Sequence, residues 1–351
     1  MIKILKKVFN NCIDEERKER LRVRFEPFFI FQDKILYKKT YKIMFNFILK
    51  HSIDRAKGYA YREDKFLKQI KDEYLKHLIL NDRDTNDNLQ CKECLEFIRK
   101  NGVNTFCYDS INYKIYDEKD VFYDEEKALF WVFYRDKRLY MKRSIDTIES
   151  VLEVMNMLAA EQEPTSPHCY VSDTFNVSKG DVVFDIGCAE GNFALSVVDL
   201  VEKIYMFEVD EEWIEALNCT FEPYKEKVCI IPKFVSNQST ADHITIEAFC
   251  DKNQIDKIHF MKMDVEGAEP DVLRGAEKLI KEGKIEKIAA CTYHNVDDEK
   301  KIRQILNEYD CQVSSGVMQV AGRNEIWDIK KPFFLPTLLR CRYRAKNNEG
   351  K

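Results

Sequence analysis

The stretch from Asp181 to Glu208 limits what this chain can fold into more than any other part of it. Val182, Val183, Phe184 and Ile186 form an apolar run without polar alternation, the pattern of a parallel strand covered on both faces. Asp185 sits near the end of that run. Gly187 and Gly191 then bracket a tight turn around Ala189. Glycine tolerates positive φ and lets a ligand approach the backbone closely. From Asn192 to Val201 apolar residues recur at helical spacing, so the turn opens a helix. A second strand, Ile204 to Phe207, closes on Glu208. That acid falls about twenty residues past the glycines, where a nucleotide-binding βαβ unit puts the group that accepts both ribose hydroxyls.

Two kinds of nucleotide fold share this outline. The nicotinamide fingerprint is Gly-x-Gly-x-x-Gly. Here the order is Asp185-x-Gly187-x-Ala189-x-Gly191. This resembles motif I of the class I methyltransferases that use S-adenosylmethionine. The resemblance implies that Asp185 holds the methionine end of the cofactor and Glu208 its ribose. It extends the cofactor contacts to Gly187, Ala189, Glu190, Gly191, Asn192, Phe193 and Val209.

Downstream the alternation is regular. Strands are expected at 182–186, 204–208, 228–235, 258–263 and 288–293, and helices at 191–202, 211–219, 246–253, 271–281 and 298–309. Strand and helix at this spacing build a mostly parallel sheet with helices on both faces. The last segments, 312–320 and 338–344, have no long helix between them, which fits an antiparallel final hairpin. The expected fold is therefore α/β: a Rossmann-like, seven-stranded class I methyltransferase sheet. Ligands in such sheets lie at the carboxyl ends of the strands.

The fourth strand runs into Lys262-Met263-Asp264-Val265-Glu266-Gly267-Ala268-Glu269, and the next helix carries Val272-Leu273-Arg274-Gly275-Ala276. This closely resembles the signature of the FkbM-type methyltransferases, over roughly residues 165 to 310. Many members have proline where this chain has Val209. The resemblance implies O-methylation of hydroxyls on sugars, macrolides or similar natural products. It adds Asp264 and Glu266 to the expected cofactor contacts.

The chain has 351 residues, enough for two domains. Residues 1–163 are expected to form an accessory, substrate-binding region: amphipathic helices at 41–49 and 66–80, a polar loop at 81–90, a β-hairpin within 113–141, and a linking helix at 144–162. Pro164 to Pro167 break the chain, and the methyltransferase domain is expected to fill 164–351. The aromatics Phe130, Trp131, Phe133 and Tyr134 either stack on a sugar or pack against the main domain.

A formal charge of -5 gives no reason to expect a nucleic-acid partner. No apolar run approaches the ~20 residues that span a bilayer. Residues 1–9 could at most lie on a membrane surface, and a homodimer is allowed. Twelve scattered cysteines read as reduced thiols of a cytoplasmic protein. Cys91 and Cys94 lack the second pair that a zinc site needs.

Methyl transfer to a hydroxyl needs an aligned acceptor and a group that takes its proton. Three residues are candidates. Asp264 follows strand four, His294 ends strand five, and His168 lies in the connection before the cofactor strand. Histidine suits proton transfer near neutral pH, so His294 is the expected base, held by Asp264. No metal is expected, because no third ligand stands out. The expected activity is O-methylation of a sugar hydroxyl on a polysaccharide or glycan. The alternatives are a non-carbohydrate natural product as acceptor, or a module that binds cofactor or glycan without turnover.

Overall fold

A computed structural model describes residues 93, 94, 96, 97, 115–319 and 334–344. The chain divides into two compact units, one of residues 1–77 with 325–328 and one of residues 78–324 with 329–351. Every described residue belongs to the second. The helices expected at 41–49 and 66–80, the loop at 81–90, the surface helix at 1–9 and Cys91 lie outside the described residues.

Three short strands come first: β1 (Val121–Asp124), β2 (Leu129–Tyr134) and β3 (Lys137–Tyr140), paired antiparallel in that order. The β2–β3 turn is the two residues Arg135-Asp136, both with positive φ, and Lys137 and Arg138 already pair in β3. Helix α1 (Ile148–Glu161) begins at Thr147, whose side chain accepts from the Ser150 N–H in a capping box. The three-stranded sheet is tied to the rest of the unit. The Tyr140 N–H donates to Thr220 Oγ1, and Leu129, Trp131 and Tyr140 pack on Ala216.

The large sheet holds β4 (Val182–Ile186), β5 (Lys203–Phe207), β6 (Val228–Ile231), β9 (Ile258–Met263), β10 (Ile285–Cys291), β11 (Tyr309–Val313) and β14 (Leu338–Tyr343). Its order is β11-β14-β10-β9-β4-β5-β6. Strands β4, β5, β6, β9 and β10 pair parallel, and β14 runs antiparallel to both β10 and β11. This is the expected class I methyltransferase sheet. Short pairs β7 (Phe234–Val235) with β8 (His243–Ile244), and β12 (Val317–Gln319) with β13 (Phe334–Pro336), lie outside it.

Two apolar layers cover the sheet. Val183, Ile204 and Phe260 belong to one, with residues of α1, α2 (Asn192–Val197) and α3 (Glu211–Thr220). Phe184, Phe207 and Met261 belong to the other, with α4 (Ile246–Asn253), α5 (Glu269–Arg274), α6 (Glu277–Lys281) and α7 (Asp298–Ile305). Burial on both faces explains the unbroken apolar runs. Phe184 has no exposed surface, and removing its ring would cost about 3–5 kcal/mol.

Several boundaries move for local reasons. The strand expected at 228–235 stops at Ile231 because Pro232 cannot donate to a ladder. The helix expected at 271–281 is two, α5 and α6. Gly275 lies between them, so close to Ser236 that a Cβ there would stand 2.1 Å from the Ser236 carbonyl oxygen. The cysteines also depart from expectation: Cys311 and Cys341 form a disulfide. They are direct partners in the β11–β14 antiparallel register, which brings together thiols 30 residues apart.

Candidate functional site

The carboxyl ends of β4, β5, β9 and β10 meet at one edge of the parallel sheet. The turn after β4 is left-handed at Gly187 (φ 69), Ala189 (φ 44) and Gly191 (φ 80). Positive φ at Ala189 costs energy that a glycine would not, so the surroundings must hold it. They do: the Ala189 N–H donates to Glu208 Oε2 at 2.9 Å, and the other oxygen of Glu208 accepts from Val209 and Asp210. Glu208 thus caps its own loop and braces the neighbouring one while staying half-exposed. Val209 is on the surface. Gly187 is fixed by the next strand, since a Cβ on it would lie 2.0 Å from the Asp264 carbonyl oxygen.

Asp185 is placed otherwise than expected. Its carboxylate is fully buried and pairs with Lys262 Nζ at 3.1 Å, directly across the β4–β9 register. Lys262 also donates to the Gly187 carbonyl at 2.6 Å. Burial pushes the Asp185 carboxyl up against the pull of Lys262. Burial likewise opposes the Lys262 charge, but Asp185 and Asp264 outweigh it and raise the ammonium pKa. Asp185 therefore acts on the turn through Lys262 and has no surface to offer a ligand. Asn192 and Phe193 also point inward, Phe193 packing on Tyr170 and Phe260. Glu190 is nearly buried, and burial lifts its carboxyl to about 7.

Asp264 is the hub at the end of β9. Tyr170 donates to Oδ2 at 3.0 Å and Tyr293 to Oδ1 at 3.3 Å. His168 Nε2 lies 3.6 Å from one oxygen and His294 Nε2 3.5 Å from the other. Burial raises the Asp264 pKa, but His168, Lys262, His294 and the Tyr170 hydroxyl pull harder and hold it below the ordinary 3.8.

The two histidines differ. His168 is 2% exposed, and its Nε2 also faces the Tyr293 hydroxyl at 3.2 Å. Burial drives it down to about 4, so it is neutral. His294 is less enclosed. Burial opposes its charge, but Glu269, Asp264 and Glu266 outweigh burial and lift it above the ordinary 6.5. Its Nδ1 is 3.1 Å from Glu269 Oε1, and Nε2 is 3.6 Å from Glu266 Oε2. Glu266 (φ 53) and Gly267 (φ 99) form the left-handed turn beneath it, and a Cβ on Gly267 would strike Asn295.

The structure thus joins Asp264, His294, His168 and Glu266 in one cluster and Glu208 with the glycine turn in another. Sequence reasoning missed Lys262, Tyr170 and Tyr293, and it saw Glu269, which is fully buried, only as an acid of the signature with no assigned partner. A lysine inside an apolar strand was the one readable signal, because such a lysine is buried only with a partner. The aromatic run resolves mostly as packing. Trp131 and Tyr134 are buried and Phe130 half-buried, leaving Phe133 outward with Phe122 and Tyr123.

Residues 187–313 match the family profile described as Methyltransferase FkbM domain. The chain carries a methyltransferase FkbM domain. S-adenosylmethionine is the cofactor of this domain, and the residues fit it: a left-handed turn closely backed by Asp264, with a half-exposed acid at the tip of the next strand. Among solved structures, the FkbM domain and its surroundings are similar to the methyltransferase FkbM from Methylobacillus flagellatus. Identity there is 21%, the match covers 56% of this chain and 54% of that one, and the TM-score is 0.39. The chain thus spans about half the length of that relative. An rRNA methylase from Streptococcus thermophilus matches at 14% identity over 48% of this chain and 90% of its own, with a TM-score of 0.33. A methyltransferase from Streptococcus mutans in complex with S-adenosylhomocysteine matches at 14% identity over 48% and 91%, with a TM-score of 0.32. Curated proteins give no match. No helix among the described residues is long and apolar enough to cross a membrane.

Proposed function

We propose that the FkbM domain transfers a methyl group to a hydroxyl of a sugar, with His294 as the group that takes the hydroxyl proton. The cofactor supplies an electrophilic methyl on a sulfonium. The chain's own residues do the rest. Glu208 accepts from the ribose while it braces the turn. Gly187 to Gly191 present backbone to the cofactor, and Asp185 keeps them in place through Lys262. Glu190 is the acid left beside the turn for the cofactor's amino-acid end.

The observation that carries the choice of base is the contrast among the three candidates. Asp264 is held below the ordinary carboxylate range and accepts from two phenols, so it is a weak base. His168 is sealed in and its nearest groups are protein atoms. His294 alone is a histidine at the strand tip whose carboxylate neighbours raise its pKa above the ordinary 6.5, which makes it the strongest base of the three once it has lost its proton. Asp264 and Glu266 would then offset the imidazolium that forms. Phe122 and Phe133, outward on the three-stranded sheet, support a sugar as acceptor, since aromatic faces pack on sugar rings.

The test is calorimetry with S-adenosylmethionine and S-adenosylhomocysteine, joined to transfer of labelled methyl onto cell-surface glycan fractions. Binding with alkali-stable label in glycan, as a methyl ether gives, is the expected result. Binding without transfer to any fraction would favour a non-catalytic module. His294→Ala should keep cofactor affinity and lose turnover; full activity in that variant would remove the histidine from the mechanism.

A further inference from the structure

Glu269 is a carboxylate with no exposed surface, in the first turn of α5. A buried charge is expensive unless its partners are fixed. One partner is the Val265 N–H, which donates to Oε1 at 2.9 Å. Capping the turn accounts for that bond and for the acid's place at a helix start. It does not account for His294, whose Nδ1 stands 3.1 Å from the same oxygen. The other ring nitrogen faces different groups, Asp264 at 3.5 Å and Glu266 at 3.6 Å. The ring therefore has a buried acid 3.1 Å behind it and faces the hub and the exposed Glu266 in front.

We propose that Glu269 fixes the proton of neutral His294 on Nδ1 and so leaves Nε2 as the atom that takes the acceptor's proton. This rests on the functional reading above. In the reaction the acceptor oxygen forms its bond to the methyl carbon, the carbon–sulfur bond breaks with its electron pair going to sulfur, and the hydroxyl proton passes to Nε2. The resulting imidazolium is stabilised by Glu269 behind and Asp264 in front. Glu269 touches neither cofactor nor acceptor, so it is a positioning residue. The incoming hydroxyl takes the place of Glu266 beside Nε2, an exchange that the 70% exposure of the Glu266 side chain allows.

The groups that face this ring are Asp264, Glu266 and Glu269, with the Tyr293 ring 4.2 Å away. His168 and Lys262 act on it through Asp264, and Asp298 acts on Glu269 from α7. Asp264, Glu269 and His294 could also be imagined around a metal ion. One atom from each lies within 4.8 Å of the other two, so a metal ion is the rival occupant, and the manganese arm of the experiment decides between them.

The experiment is nitrogen–proton correlation NMR of the full chain labelled with nitrogen-15 histidine, with His294→Gln assigning the signal among six histidines. The expected result is an Nδ1–H tautomer for neutral His294. Glu269→Gln should weaken the ring's proton affinity at least about tenfold, one pH unit in the midpoint, and Glu269→Asp should keep most of it. An Nε2–H tautomer in the unmodified chain would overturn the proposal. So would an unchanged midpoint in a folded Glu269→Gln. The tautomer needs no variant, so it decides the matter even if Glu269→Gln does not fold. Broadening of the His294 signal by one equivalent of Mn²⁺, lost in Glu269→Gln, would also overturn it by making the ring a metal ligand. Absent cofactor binding in calorimetry would instead sink the functional reading and leave the tautomer result untouched.

Discussion

Lys262 Nζ lies 3.1 Å from Asp185 Oδ1, across two adjacent parallel strands and almost wholly out of water. Removing one member of such a pair leaves the other as an uncompensated buried charge. Asp185→Asn or Lys262→Met should each lower the unfolding free energy by about 3–5 kcal/mol in denaturant titrations. A loss below about 1 kcal/mol, the range of a surface ion pair, would mean that water reaches the pair.

The glycine turn can be tested with two alanines. Gly187→Ala must move a backbone carbonyl, because its Cβ would sit 2.0 Å from the Asp264 oxygen. Gly180 also has positive φ (83), but nothing lies within 4 Å of a Cβ there. Gly180→Ala should cost about 1 kcal/mol from backbone strain alone. Gly187→Ala should cost several-fold more and weaken S-adenosylhomocysteine binding at least about tenfold. Equal effects in thermal unfolding and calorimetry would show that Asp264 can give way.

The rate should climb with pH. His294 accepts a proton only when neutral, and its carboxylate neighbours hold its pKa above 6.5. The acid limb of kcat should therefore lie above 6.5. The same shift stabilises the fold fully below 6.5, and that contribution fades as pH rises through the folded value. A rate profile whose limb falls at 6.5 or lower would contradict the carboxylate environment of the ring.

Glu190 carries the opposite sign to an ordinary paired acid. Its folded carboxyl titrates at about 7 instead of 4.5 because burial disfavours the charge. Stability from this group is whole below 4.5 and is lost as pH rises through 7. Glu190→Gln should stabilise the protein by roughly 3 kcal/mol at pH 8 and scarcely at pH 4. Denaturant midpoints of both forms at the two pH values check this; parallel curves would place the carboxylate in water.

The sheet was readable because its central strands are buried on both faces, so Val182 to Ile186 and Ile258 to Met263 stand out as unbroken apolar runs. The turn was readable from glycines whose spacing is fixed by backbone contact. The partners of the acids were not. Asp185 meets Lys262 across 77 positions, and Asp264 meets Tyr170 across 94, so no local pattern announces either pair. The break between α5 and α6 has the same cause, since Gly275 answers to Ser236 on a distant loop. Glu269 was visible in the signature, but its work depends on a ring 25 positions later, at the end of a different strand.

The link between Cys311 and Cys341 staples the antiparallel edge of the sheet to itself. A protease that severs one peptide bond between those two positions would leave both fragments travelling as a single band on an electrophoretic gel. They would separate only once a thiol reagent is added.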